Sequence, residues 1–125
     1  MGTADQNAMS DSPAMLRLLE ELHRGRIVCL GDLMLDRYVY GSVERISAEA
    51  PIPIINAERD DAMLGGVGNV VRNVAAAGGQ AHLLALRGDD DAGGEIAGQL
   101  ADMAGVKSDL VVDAGRPTTV KTRYI

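Results

Sequence analysis

Two aspartates stand in Gly31-Asp32-Leu33-Met34-Leu35-Asp36-Arg37-Tyr38, just past the short apolar run Arg26 to Leu30. A carboxylate can accept a pair of hydrogen bonds from adjacent sugar hydroxyls, and ligands of open α/β sheets bind outside the carboxyl ends of strands. A turn aspartate plus a solvent-facing one accounts for the same pair. The second constellation is Gly65-Gly66-Val67-Gly68-Asn69. Glycines at a helix start let a ligand approach the backbone, where free N–H groups favour polar or anionic partners, and Asn69 adds a donor and an acceptor. The dinucleotide fingerprint is not met, because its third glycine position holds Val71. The same glycines also serve close packing alone. In Thr118-Thr119-Val120-Lys121-Thr122-Arg123 the alternation puts Lys121 and Arg123 on one face of a strand, where two cations can hold a phosphate. A charged strand edge that blocks aggregation is the other account. Arg45 is a further isolated cation. His23 and His82 have no acidic or cysteine partner at ligand spacing, and no metal cluster or Ser-His-Asp arrangement can be picked out.

The elements that must position these residues alternate along the chain. Residues 1–11 read as a disordered lead-in. Ser12-Pro13 reads as a helix start, Met15, Leu16, Leu18, Leu19 and Leu22 form one apolar helical face, and Gly25 ends it. Arg26 to Leu30 predicts a buried strand. Tyr38 to Val43 and Ile52 to Ala57 predict further strands, the second confined to an edge by Pro51 and Pro53. Gly65 to Gly68 opens a helix running to about Ala77. The strand Ala81 to Leu86, a helix over Ala92 to Ala104, a core strand over Asp109 to Val112 and a strand-like segment over Thr118 to Ile125 follow. Alternating strands and helices imply parallel βαβ units in a layered α/β fold. Residues 38–64 break the alternation and predict a small β-sheet standing off the main layer.

Composition bounds the rest. The chain has 125 residues, enough for one modest domain. Its core must be aliphatic, since Trp and Phe are absent and Tyr occurs three times. A net charge of −6 with no basic run argues against nucleic-acid binding. The apolar runs are too short to span a bilayer, the first twelve residues do not read as a secretory signal, and the single cysteine, Cys29, reads as a small core residue. These features point to the cytoplasm.

Taken in order, the motifs resemble the ribokinase-like (phosphofructokinase B) carbohydrate kinases. That family's first signature runs from paired glycines through an Asn to two spaced glycines, here Gly65, Gly66, Asn69, Gly78 and Gly88, with Val67 and Val71 in place of its usual small residues. Within the family, the segments Gly31 to Gly41 and Arg45-Ile46-Ser47-Ala48-Glu49-Ala50-Pro51-Ile52-Pro53 resemble the D-glycero-β-D-manno-heptose 7-phosphate kinases, from about Arg26 to Ile125.

The resemblance implies a ribokinase-like layered α/β/α fold, residues 12–125 forming its N-terminal part, with a β-sheet lid over about 38–64. It implies that Asp36 holds sugar hydroxyls with Gly65, Gly66 and Asn69 and that Asp32 assists; the residues themselves add Arg45, Lys121 and Arg123 as candidates for the substrate's phosphate. It implies Mg2+ and ATP as co-substrate, a homodimer formed through the lid, and a role in lipopolysaccharide heptose synthesis. The family's catalytic base and nucleotide site are expected beyond Ile125, so this chain by itself is expected to be inactive. Another sugar or nucleoside kinase of the same fold, or a non-catalytic sugar-binding or dimerisation module, are the rival readings.

Overall fold

The computed structural model describes residues 13–125. The expected lead-in over 1–11 and the Ser12 cap lie outside the described residues. Helix α1 (Pro13–Glu20) passes through a single turn of 3-10 helix (Leu22–Arg24) to Gly25, whose N–H bonds Leu22 O at 2.9 Å. Its apolar stripe forms as expected, yet Met15, Leu16, Leu18, Leu19 and Leu22 are all between 41% and 63% exposed.

Strand β1 (Arg26–Leu30) leads into two long strands, β2 (Leu33–Ile46) and β3 (Pro53–Gly66), which pair as an antiparallel hairpin. Then come α2 (Val67–Ala76), β4 (Gln80–Arg87), α3 (Asp91–Ala101), β5 (Val106–Val112) and β6 (Thr119–Tyr124). Two three-stranded sheets result. In the order β1-β4-β5 all strands are parallel, as right-handed βαβ units require; in the order β3-β2-β6 the hairpin carries β6 parallel to β2. The small second sheet expected at 38–64 is therefore present but longer, because β2 starts at Leu33 and β3 runs through Gly66. Pro53 lies on β3, an edge strand, where its missing N–H costs no ladder bond.

The core lies between the two sheets and under α2 and α3. Leu33, Leu35 and Leu64 from the hairpin meet Val71 of α2, Ala81, Leu83 and Ala85 of β4, and Ile96 and Leu100 of α3. Fully burying one such aliphatic side chain contributes roughly 1.5–3 kcal/mol, so these aliphatic contacts carry the packing that aromatic residues supply elsewhere. One expectation fails in part. β1 is an edge strand, and of its residues only Cys29 is buried; Ile27, Val28 and Leu30 are 48%, 69% and 82% exposed. Among the described residues the main sheet is covered on one face, and Val28, Leu30, Leu84, Leu86 and Val111 lie on the other.

A compact knot ties the sheets together. Asp90 caps α3 by accepting from Gly93 N at 2.8 Å, and its other oxygen accepts from Thr118 N at 2.8 Å. Thr118 Oγ1 in turn accepts from Gly88 N at 2.9 Å. A Cβ on Gly88 would lie 2.6 Å from Thr118 N, so only glycine lets the entry to β6 come this close to the end of β4. The Thr118 hydroxyl, followed by the Thr118 and Gly93 N–H groups, holds the Asp90 carboxyl below its ordinary value.

Candidate functional site

Side chains alternate along β2, and the alternation separates two roles. Leu33 and Leu35 enter the core, while Met34, Asp36 and Tyr38 point to the opposite face. Arg37, next to Asp36 in sequence, therefore turns away from it and bonds Glu95 of α3 at 3.0 Å and Asp60 at 3.4 Å. Arg37 ties the hairpin to α3 and does not join Asp36, contrary to what their adjacency suggests.

Asp36 is paired in register with Met63 on one side and Lys121 on the other. Its side chain is 16% exposed, and Lys121 Nζ stands 2.6 Å from Oδ1. Oδ1 is buried, and the Lys121 ammonium is its polar partner among the described residues. The ammonium offsets the cost of burying this charge, and a ligand hydroxyl at Asp36 would share the carboxylate with Lys121. Two register steps further on, on the same face, Arg123 donates to Tyr38 Oη at 2.7 Å. The structure thus brings Lys121 beside Asp36 and sets Arg123 on the same face.

The glycine segment divides its labour. Gly65 and Gly66 end β3, opposite Met34 and Leu33, rather than opening the helix, which starts at Val67. Gly65 is buried beneath Asp36. Gly66 has φ of 58°, and a Cβ there would lie 2.2 Å from Asp32 O; that same carbonyl accepts from Val67 N at 2.8 Å. Gly68 packs under Leu33 and Leu64, where a Cβ would meet them at 2.9 and 3.0 Å. Asp32 thus holds the start of α2 through its backbone, with its residue exposed.

Asn69 lies in the first turn of α2, and its Oδ1 accepts from Arg72 Nη2 at 2.7 Å. Arg72 Nη1 reaches Met63 Sδ at 3.9 Å. Arg72 was not singled out by the sequence reading, although its spacing of three from Asn69 on a helix was a usable signal. Arg45 does not come to this group. It sits near the far end of β2, nine residues from Asp36, which is about 30 Å of extended chain.

A crevice of about 590 Å³ opens at the carboxyl ends of β1 and β4, lined among others by Asp32, Met34, Leu86, Arg116 and Thr119. Met34 and Thr119 are register partners, and the next pair on the same face is Asp36 with Lys121. The crevice therefore reaches the Met34–Thr119 pair, and Asp36, the next residue on that face, is not among its lining residues. Arg116, a second cation the sequence reading passed over, donates to Thr119 Oγ1 at 3.3 Å. On the outer face of the main sheet, β4–β5 pairing brings His82 Nε2 to 2.6 Å from Asp109 Oδ2, an acidic partner that sequence spacing does not reveal. The His82 hydrogen bond holds the Asp109 carboxyl below its ordinary value. Among the described residues no three His, Cys, Asp or Glu side chains converge on a metal position, and no helix is long and apolar enough to cross a membrane.

Residues 24–125 match the profile of the pfkB family carbohydrate kinases. The chain belongs to this family. It is 50% identical over 116 residues to the bifunctional protein HldE of Rhodospirillum rubrum, covering 93% of this chain and 23% of that protein. It is 56% identical over 99 residues to the HldE of Caulobacter vibrioides, covering 79% and 20%. The chain thus spans about a quarter of the length of these curated relatives or less. A carbohydrate kinase from Agrobacterium tumefaciens superposes with a TM-score of 0.63 at 27% identity, over 81% of this chain and 31% of that one. Phosphofructokinase-2 from Escherichia coli superposes with a TM-score of 0.59 at 23% identity, over 80% and 30%. The ribokinase-like α/β fold and membership in a kinase family follow from these likenesses.

Proposed function

We propose that this chain is the sugar-binding part of a kinase that phosphorylates the anomeric hydroxyl of D-glycero-β-D-manno-heptose 7-phosphate in lipopolysaccharide core synthesis. The observation that carries the reading is the mostly buried Asp36 carboxylate with Lys121 Nζ paired to it at 2.6 Å. A carboxylate suits vicinal hydroxyls, and a neighbouring ammonium suits a phosphate. Kinship with the HldE proteins and the resemblance of the Gly31 to Gly41 segment supply the choice of sugar.

In this reaction the anomeric oxygen attacks the γ-phosphorus of ATP, the bond to ADP breaks, and the hydroxyl proton leaves to a base. Such transfer depends on positioning and charge stabilisation. Asp36, with Gly65 and Asn69 around it, orients the sugar, and Lys121 and Arg123 face its phosphate. The base and the groups that hold ATP with its divalent cation are assigned to no residue of this chain. The exposed Val43, Ile46 and Ile52 at the end of the lid hairpin support a homodimer formed there. Reaction in the cytoplasm, where ATP is supplied, completes the reading.

The test is a substrate panel on the complete gene product with ATP: heptose 7-phosphate, the same heptose without phosphate, fructose 6-phosphate, ribose and adenosine. Heptose 7-phosphate is expected to exceed each of the others in kcat/KM by at least about tenfold. Preference for another sugar or a nucleoside would reassign the substrate. Tight sugar binding without turnover would make the protein a binding module.

A further inference from the structure

We infer that Arg72 is a positioning residue that fixes Asn69 as a hydrogen-bond donor toward the sugar. The inference rests on the sugar-site reading above and adds to it a residue and a direction of hydrogen bonding. Residues 69 and 72 share one face of α2, and Nη2 of Arg72 lies 2.7 Å from Oδ1 of Asn69. A guanidinium has donors only. The carboxamide atom facing it must therefore be the carbonyl oxygen, which settles which way round the Asn69 amide stands. Its Nδ2, with two N–H bonds, donates to no acceptor among the described residues and is left for a ligand oxygen.

The second arm of Arg72 braces the arrangement. Nη1 lies 3.9 Å from Sδ of Met63, and Met63 is the register partner of Asp36 on β3. The guanidinium therefore spans from the helix to the strand that flanks the carboxylate. On this geometry the site offers a sugar opposite kinds of contact: Asp36 accepts from hydroxyls, and Asn69 donates to a hydroxyl or ring oxygen. Without Arg72 the carboxamide can turn over and present its oxygen instead, and that donor is lost.

The test is a double-mutant cycle in the complete gene product, with D-glycero-D-manno-heptose 7-phosphate and ATP as substrates. Arg72→Met is expected to raise the sugar KM about tenfold, the loss of one well-placed hydrogen bond, and to leave the ATP KM and the melting temperature unchanged. Asn69→Ala is expected to raise the sugar KM by a similar factor. Added to Asn69→Ala, Arg72→Met is expected to change it by less than about twofold, because residues acting through one contact are not additive. Arg72→Lys, which keeps a donor for Oδ1, is expected to recover most of the loss. If Arg72→Met does not fold, Arg72→Leu, which likewise has no donor, takes its place in the cycle.

An unchanged sugar KM in Arg72→Met beside a raised one in Asn69→Ala would overturn the inference and leave the sugar site standing. A tenfold loss that persists in the Asn69→Ala background would also overturn it, making Arg72 a direct phosphate contact. No effect of Asn69→Ala on the sugar KM would remove Asn69 from the site, and the sugar-site reading at this position would fall with the inference.

Discussion

The carboxylate of Asp36 occupies the space that a side chain on residue 65 would fill. A Cβ on Gly65 would stand 2.7 Å from Asp36 Oδ2 and 2.8 Å from Cγ, closer than any real contact allows. The backbone of Gly65 does not need glycine, since it is not among the residues with positive φ. Gly65→Ala is therefore expected to fold and to displace the Asp36 side chain. Sugar affinity should fall on the order of ten- to a hundredfold, the value of a charge-assisted hydrogen bond, with ATP affinity unchanged. Calorimetric titration of the complete gene product with heptose 7-phosphate decides it. Unaltered affinity in the alanine variant would take Asp36 out of the sugar contact.

Gly66, one residue on, is expected to behave in the opposite way. Its φ of 58° is unfavourable for any residue with a Cβ, and that Cβ would strike Asp32 O at 2.2 Å. The strain alone costs about 1–3 kcal/mol, and the clash with a backbone carbonyl adds to it. Gly66→Ala should lower the denaturant midpoint strongly, whether or not sugar is present. A stable Gly66→Ala protein with weakened sugar binding would assign Gly66 to the ligand instead of the fold.

Much of this division was legible in the sequence, and the exceptions have physical causes. The βαβ order, the off-layer sheet and the glycine motif follow from local pattern. The start of β2 does not, because Met34 is apolar and blurs the alternation of Leu33 and Leu35 with Asp36. The pairing of Asp36 with Lys121 is a matter of register between strands 85 residues apart, which periodicity does not encode. The same holds for His82 and Asp109. The places of Arg37 and Arg45 are likewise set by the strands: one residue along β2 turns Arg37 to the face opposite Asp36, and nine residues carry Arg45 far down the hairpin.

The Asp90 knot gives a pH dependence. The Asp90 carboxyl is held below its ordinary value in the folded chain, first by the Thr118 hydroxyl. A depressed folded value means that ionised Asp90 stabilises the fold above the unfolded pKa, near 4, and that this contribution disappears as pH falls through the lower folded value. Melting temperatures of the native chain and of Asp90→Asn should differ at pH 6, and the gap should close as pH falls below the unfolded value and through the lower folded one. A gap of constant size across that range would mean that the charge of Asp90 contributes nothing and only its shape matters.

Asp36 and Lys121 can be separated by substituting each and offering two sugars. The pair is partly exposed, 16% for the carboxylate and 46% for the ammonium, so as an ion pair it contributes at most about 1 kcal/mol to stability. Asp36→Asn keeps the shape and removes the charge, leaving an ammonium that water already reaches. Melting temperature should change little, while the charge-assisted bonds to hydroxyls weaken. Affinity should then fall on the order of ten- to a hundredfold for heptose 7-phosphate and for unphosphorylated heptose alike. Lys121→Met removes the phosphate's cation and frees Oδ1 for a hydroxyl. It should weaken heptose 7-phosphate by a similar factor and leave unphosphorylated heptose unchanged or slightly tighter. If the pair serves only to join β2 to β6, both variants will lower the melting temperature together and leave both affinities alone. Titrating both sugars into both variants, with melting curves on the same samples, distinguishes the two accounts, and equal loss of the two sugars in Lys121→Met would deny Lys121 the phosphate.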